Sequence, residues 1–204
     1  MPLLTTKSAG VFGLGWSSFT PEPQSLDGLV LLEPSSISYS GGSASYGANS
    51  SVTMTGVSSI SFNSVFSADY ENYFVSINGV GSVDGAVLNM RTRTGTTDYS
   101  AANYNRKYLG VESGSASLYT NASLTYGTAA RLMITKPSGF HVVIRTPFLS
   151  QDTSYSTKSF YSKDEASWAD FFGIDNNSSS KDGVTFFTDT GTITGTIRIY
   201  GLVD

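Results

Sequence analysis

The stretch TITGTIRIYGLV, residues 192–203, decides the fold class of this chain. Alternate positions hold apolar side chains: Ile193, Ile197, Ile199 and Val203. The positions between them, from 192 to 200, hold threonine, arginine or tyrosine. Because successive side chains of a strand point to opposite faces of a sheet, this alternation predicts a strand with one face on the core and the other in water.

Nine further segments have the same strand-like character and are separated by polar turns such as NGVGSVDG and DNNSSSKDG. Many short strands joined by such turns predict an all-β fold, an antiparallel jelly-roll-like β-sandwich spanning residues 28–204. The segments are LVLLE (29–33), SISYS (36–40), SVTMTGV (51–57), ISFNSVF (60–66), YFVSI (73–77), VLNMRTRT (87–94), RLMIT (131–135), HVVIRTPFL (141–149) and VTFFT (184–188).

The aromatic stretch SVFSADYENYFVSI, residues 64–77, is interpreted as a corner between two of these strands. Tyr73, Val75 and Ile77 alternate and are predicted to point inward. Tyr70 and Tyr73 are expected to cover the rim of the sandwich, with their hydroxyls reaching water or the backbone. This segment therefore predicts packing and not catalysis.

Composition excludes several classes of protein. The 204 residues fit one domain, and 13% aromatic content is high for a disordered chain. A net charge of -4 disfavours binding to nucleic acid, which depends on Lys and Arg at phosphates. No apolar run approaches the roughly 20 residues of a membrane-spanning helix. Cysteine is absent, so neither disulfides nor thiolate metal sites contribute.

Residues 1–27 differ from the rest of the chain and predict an extended N-terminal arm. Three glycines interleave with apolar residues, and Pro21 and Pro23 follow. Such a segment cannot build a core of its own, so Phe12, Leu14 and Trp16 are predicted to dock on a neighbouring polypeptide.

One helix is predicted, SKDEASWADFF at 162–172, because Ser162 and Glu165 have the spacing of a capping box. Asp164, Glu165 and Asp170 could be imagined as the acid pair of a glycosidase. The favoured interpretation is that these carboxylates lie in water at the start of the helix.

Neither a catalytic centre nor a cofactor site is predicted. The single histidine, His141, lies in an alternating strand, and no GxSxG nucleophile elbow occurs. One histidine without cysteine leaves too few ligands for zinc. The turn DNNSSSKDG, residues 175–183 with Asp175 and Asp182, carries oxygen ligands but lacks the spaced calcium-loop pattern, so a plain turn is favoured over a calcium site.

The segment MRTRTGTTDYSAANYNRKY, residues 90–108, interleaves basic and aromatic side chains. Such side chains can contact a sugar face, a protein partner or single-stranded nucleic acid, the last disfavoured by the acidic composition. The sequence therefore predicts a receptor or subunit contact here, formed by Arg91, Arg93, Tyr99, Tyr104 and Tyr108.

Four pieces, GLVLL (28–32), VFSADYENY (65–73), NMRTRTGTTDYSAANY (89–104) and GTITGTIRIYGL (191–202), together resemble small virion proteins of tailed bacteriophages. These are tail-fibre-like or minor structural proteins with jelly-roll-like β-sandwiches. The resemblance covers most of residues 28–203, and Phe66–Tyr73, Met90–Tyr104 and Thr194–Gly201 are its most specific parts. The insert-like stretch 150–183 and the Gly/Pro arm depart from the commonest versions.

The resemblance implies a non-enzymatic role on the virion exterior, with other virion proteins as partners and a homotrimer favoured. A tail-fibre or tail-tip module that touches a host glycan or protein is placed ahead of a capsid decoration protein. A carbohydrate-binding or carbohydrate-active surface module is the alternative from another class. The resemblance brings no catalytic residues with it.

Overall fold

The computed structural model describes residues 28–112, 114–134, 136–162 and 166–203. The predicted arm, with Phe12, Leu14 and Trp16, lies outside these residues. Within them the chain forms sixteen strands and a short 3-10 turn at Ala48–Ser50. The strands are β1 Leu29–Leu32, β2 Ser36–Ser40, β3 Ser43–Tyr46, β4 Val52–Val57, β5 Ser59–Asn63, β6 Asn72–Gly81, β7 Val87–Thr94, β8 Thr97–Asp98, β9 Tyr104–Glu112, β10 Ser115–Leu124, β11 Gly127–Arg131, β12 Ser138–Arg145, β13 Thr153–Ser162, β14 Ala166–Asp175, β15 Gly183–Thr188 and β16 Ile193–Leu202.

Two antiparallel sheets pack face to face, which confirms the all-β sandwich. The large sheet has the strand order β10-β9-β14-β13-β12-β6-β16-β4-β3, with β1 paired to the far end of β16. The small sheet has the order β11-β7-β15-β5-β2, with β8 beside β7. No described helix is long and apolar enough to cross a membrane.

The main core lies between the sheets and follows the alternation read from the sequence. Ile193, Ile197 and Ile199 of β16 are buried, and their neighbours on the strand are half-buried or exposed. From the small sheet, Phe62 and Phe186 meet edge to face, with ring centroids 6.4 Å apart. The expectation that Val203 shares the buried face is wrong, because β16 ends at Leu202 and leaves Val203 54% exposed.

The aromatic corner packs as predicted. Tyr73, Val75 and Ile77 are all buried on β6. The Tyr73 hydroxyl accepts the backbone N–H of Ser67 at 2.7 Å and donates to its carbonyl at 2.9 Å, so one side chain closes the turn. Phe66 follows β5 and packs on the Tyr73 ring, with a centroid separation of 4.4 Å.

The helix predicted at 162–172 is wrong, because residues 166–172 belong to β14. β14 pairs with β13 on one side and with β9 on the other. An isolated eleven-residue helix has little stability of its own in water, whereas a strand between two partners satisfies its backbone on both sides. Of the three carboxylates weighed there, Asp164 and Glu165 lie outside the described residues, and Asp170 lies on the outer face of the sheet, opposite Lys158.

A second, smaller cluster supports the end of the large sheet that carries β9, β13 and β14. Its members are Tyr108, Met133, Tyr161, Ala169 and Phe171. These buried side chains hold one face of the three strands and thereby fix the positions of the residues on the opposite, outer face.

Candidate interaction surface

A groove of about 580 Å³ runs across the outer face of β12, β13, β14 and β9. Strand register places Lys107, Phe172 and Ser156 in one cross-strand row. The neighbouring row contains Ile174, Ser154 and Arg145. These side chains share one face because they occupy alternate positions on strands whose other positions face the interior.

The groove combines one exposed aromatic ring with cations and small polar groups. Phe172 is 48% exposed, and both Lys107 and Arg145 are exposed beside it. The Arg145 guanidinium donates to the Ser156 hydroxyl at 3.2 Å, which holds its long side chain along the groove. Among the described residues that line the groove, none carries a carboxylate.

This arrangement suits a sugar chain, above all one that carries negative charge. The C–H faces of sugar rings pack on the electron-rich face of an aromatic ring, which Phe172 offers. Hydroxyl groups of a sugar can bond to Ser154, Ser156 and Asn105, which also line the groove. Lys107 and Arg145 are three strands apart, or about 14 Å, a span that a short oligosaccharide can bridge.

An apolar strip adjoins the groove on the same outer face and is defined by Leu109, Val111, Leu118, Phe160 and Trp168. Val111 pairs with Trp168, Trp168 with Phe160, and Leu109 with Leu118. Phe160 is 59% exposed and Leu118 is 75% exposed. Leu109 is 42% exposed, and Val111 and Trp168 are half-buried between these residues. Neighbouring apolar side chains that stay accessible to water favour a surface that contacts another molecule.

Two of the predicted contact residues lie on the small sheet, away from the groove. Arg91 is half-buried, donates through Nε to the Thr125 carbonyl at 3.0 Å, and stacks over the Phe187 ring at 4.5 Å. Arg93 is only 4% exposed and lies 3.5 Å from Asp98. A surface role for Arg93 is therefore wrong, because its guanidinium is used inside the fold.

Tyr104 and Tyr108 are interior residues, so the prediction of a contact surface at these two positions is wrong. Tyr104 is fully buried, and its hydroxyl accepts a hydrogen bond of 3.0 Å from the backbone N–H of Thr92. Burial, assisted by the negative charge of Asp175, raises the pKa of the Tyr104 hydroxyl. Tyr108 is 2% exposed, and its ring stacks on Tyr119 at 4.4 Å.

Tyr99 alone of the three predicted tyrosines is partly exposed. Its hydroxyl lies 2.9 Å from Ser179 and 3.2 Å from Thr94, and these hydrogen bonds lower the pKa of Tyr99. They tie the 95–99 turn to the loop that follows β14. Tyr99 is therefore a structural link between these two segments and is not among the residues that line the groove.

The loop between β14 and β15 is organised by a buried ion pair. Lys181 Nζ lies 3.8 Å from Asp175 Oδ2, and both side chains are shielded from water. Asp175 also accepts the Thr92 hydroxyl at 2.6 Å and the Asn177 N–H at 3.1 Å. Asp182 accepts the Gly95 N–H. Both carboxylates that were weighed as calcium ligands thus accept hydrogen bonds from protein donors.

The sequence analysis missed Phe172, Arg145 and Ile174 as surface residues. The signal that could have found Phe172 and Ile174 is the alternation of 166–175, in which Ser167, Ala169 and Phe171 are buried. His141 lies exposed on β12 with its ring 5.1 Å from that of Phe74, a cross-strand contact on the same outer face.

No protein-family model and no curated protein matches this chain. A crystal structure of a protein of unknown function from Shewanella oneidensis MR-1 is similar at 10% sequence identity. The similarity covers 88% of this chain and 80% of that chain, with a TM-score of 0.28. A similarity of this size carries no argument about function.

Proposed function

We propose that this chain is a non-enzymatic structural protein of a tailed-bacteriophage virion, in a tail-fibre or tail-tip position, where it contacts a glycan of the host surface. The proposal combines the sequence resemblance with one structural observation, the groove that holds Phe172 between Lys107 and Arg145. A groove built on paired strands is rigid, so binding costs little ordering of the protein.

Charge supports a glycan that bears carboxylate or phosphate groups. The whole chain has a net charge of -4, yet the groove presents Lys107 and Arg145. These cations give local attraction for an anionic sugar, while the acidic remainder disfavours nonspecific binding to nucleic acid. Arg145 can bond a carboxylate through two parallel N–H groups, whereas Lys107 acts as a point charge.

A glycan array probed with the purified chain tests the groove. We expect binding to acidic oligosaccharides, with at least tenfold weaker binding for Phe172→Ala and for the Lys107→Gln, Arg145→Gln double variant. Phe160→Ala is the matched control, since Phe160 is similarly exposed but lies in the apolar strip. If Phe160→Ala lost as much oligosaccharide binding as the groove variants, or if both groove variants bound normally, the groove would not be the glycan-binding site.

The arm provides the test of the virion role. Trp16→Ala combined with Phe12→Ala, or deletion of residues 1–27, should abolish incorporation into particles while leaving the melting temperature of the sandwich almost unchanged. A free lectin or a carbohydrate-active enzyme would stay folded and functional after that deletion. Normal incorporation of the truncated chain would count against a virion protein anchored by this segment.

Capsid decoration is the second candidate, and the apolar strip favours it. Phe160 and Leu118 are too exposed for a surface that meets only water, and they suit packing on a neighbouring virion protein. Copy number separates the two positions, because decoration proteins occur in hundreds of copies and tail fibres in far fewer. Quantitative mass spectrometry of purified particles gives that number.

A further inference from the structure

Among the residues that the structure describes, β10 has a pairing strand on one side and forms an open edge of the large sheet on the other. β10 ends the strand order of the large sheet, and β9 is the described strand that pairs with it. Its sequence, SASLYTNASL, contains neither a charged residue nor a proline. Natural proteins commonly protect an exposed edge with lysine, proline, a bulge or a short strand, because unpaired N–H and C=O groups recruit another strand.

The pairing-competent part of β10 is the straight run Ser115–Asn121. Over these seven residues the register with β9 is regular, and it shifts between Asn121 and Leu124. Ser123 has a φ of 55°, which marks a local bend that ends the straight edge. The other described edge strands are shorter: β3 has four residues, and β2 and β11 have five each.

We infer that β10 pairs with β10 of a second copy of this chain, antiparallel and about a two-fold axis at Leu118. Leu118 is the midpoint of the straight run, so this register alone uses all seven residues of both copies. It sets Ser115 opposite Asn121, Ala116 opposite Thr120, and Ser117 opposite Tyr119 of the partner subunit. The two large sheets become one continuous sheet.

Side chains fit this register on both faces. On the outer face, Leu118 meets Leu118 of the partner subunit, and each is flanked by its own Leu109, so four leucines form one apolar row. On the inner face, Tyr119 is 37% exposed and stacks on Tyr108, and the small Ser117 opposite leaves room for its ring. No charges face each other within the paired run, so self-association meets no electrostatic penalty there.

The contact is isologous, so it joins two copies rather than the three that the resemblance favours. Seven paired residues cover about 23 Å of edge, which buries less than the roughly 800 Å² per partner of a standard interface. The dimer is therefore weak in solution and depends on concentration. Fixing several copies on one particle would raise their effective concentration and shift the equilibrium to the dimer.

Cysteine scanning tests the register, because the chain has no cysteine of its own. Residues directly opposite in antiparallel strands have Cα atoms about 4.5–5.5 Å apart, within reach of a disulfide. Leu118→Cys should therefore form a disulfide-linked dimer under mild oxidation. Ala116→Cys and Thr120→Cys should not dimerise alone but should cross-link when the two variants are mixed.

Phe160→Cys is the control for random collision, since its side chain is exposed on the same face but lies away from the edge. Sedimentation of the unmodified chain should show a dimer that grows with concentration, and Leu118→Lys should reduce it at least tenfold, because two like charges then meet at the axis. Leu118 is largely exposed, so Leu118→Cys and Leu118→Lys should have the same melting temperature as the unmodified chain. A chain that stays monomeric up to millimolar concentration, or Leu118→Cys cross-linking no faster than Phe160→Cys, would overturn the inference.

Discussion

Removal of the buried Lys181 tests how the loop after β14 is held. In Lys181→Met the ammonium that lies 3.8 Å from Asp175 is lost, while a side chain of similar length fills the space. Asp175 keeps the Thr92 hydroxyl and the Asn177 N–H as donors, but no cation remains beside it among its described contacts. The Asn177 carbonyl also loses the lysine as its donor.

The expected cost follows from burial. The side chains of Lys181 and Asp175 are 0% and 1% exposed, so water screens the pair very little. Breaking a buried ion pair by removing one partner typically costs about 3–5 kcal/mol, and the two donors left on Asp175 place the variant near the lower figure. About 3 kcal/mol corresponds to a melting temperature lowered by roughly 6–12 °C for a chain of this size.

Denaturant titration followed by circular dichroism measures this loss. Lys158→Met is the matched control, because Lys158 is exposed on the outer face and its substitution should change stability by less than about 0.5 kcal/mol. Adding Asp175→Asn to Lys181→Met should recover part of the loss, since the unpaired carboxylate is then neutral. A Lys181→Met variant as stable as Lys158→Met would refute the view that this pair organises the loop.

Three further predictions concern the tyrosines of the fold. Tyr73→Phe removes both hydrogen bonds to Ser67 and should cost about 1–3 kcal/mol by denaturant titration; a loss below 0.5 kcal/mol would contradict a structural role for the hydroxyl. Gly173→Ala would make its Cβ overlap the Tyr155 ring and should cost about 1–3 kcal/mol, whereas Gly139→Ala meets nothing within 4 Å and should be nearly neutral; equal melting temperatures would argue against this packing. Burial raises the pKa of Tyr155 to about 12, so the stability that it contributes is complete below pH 10 and lost as the pH rises from 10 towards 12; a Tyr155→Phe variant that loses as much stability as the unmodified chain over this pH range would contradict this.

The sequence was sufficient for the fold class because the core strands have a simple alternation. In β16 and β6 the apolar positions repeat every second residue, and those residues are the ones buried between the sheets. The corner with Tyr73 was predictable for the same reason: an alternating strand follows directly after a polar turn. Burial of one face is the dominant requirement in these segments, so the local pattern and the fold agree.

The strands at the end of the large sheet were harder to predict because their polarity is partly reversed. In β9 the inward positions include Tyr104, Arg106 and Tyr108, while Leu109 and Val111 face outward. The sequence pattern suggests that the aromatic and basic residues Tyr104, Arg106 and Tyr108 are exposed, but they point into the protein. The apolar Leu109 and Val111 lie on the surface instead. The Arg106 guanidinium can lie inside because the Thr128 hydroxyl accepts its hydrogen bond.

The groove could not be predicted from the sequence, because its residues are distant from one another in the chain. Lys107, Phe172 and Arg145 come from three segments that are far apart in the chain, and only strand register brings them onto one face. The capping-box spacing of Ser162 and Glu165 predicted a helix over residues 162–172 instead. Pairing on both sides of β14 outweighed that local preference.

The interior position of β16 in the large sheet, beside β6, β4 and β1, has a consequence for how the protein folds. β16 pairs with β6 so that Ile197 faces Ile77, and with β1 so that Leu202 faces Leu29. Both contacts close chain loops of more than a hundred residues, and the entropy of loop closure must be overcome before the contacts stabilise anything. Refolding should therefore be slow, in the millisecond-to-second range or beyond, with uncovered strands at risk of aggregation until β16 is inserted.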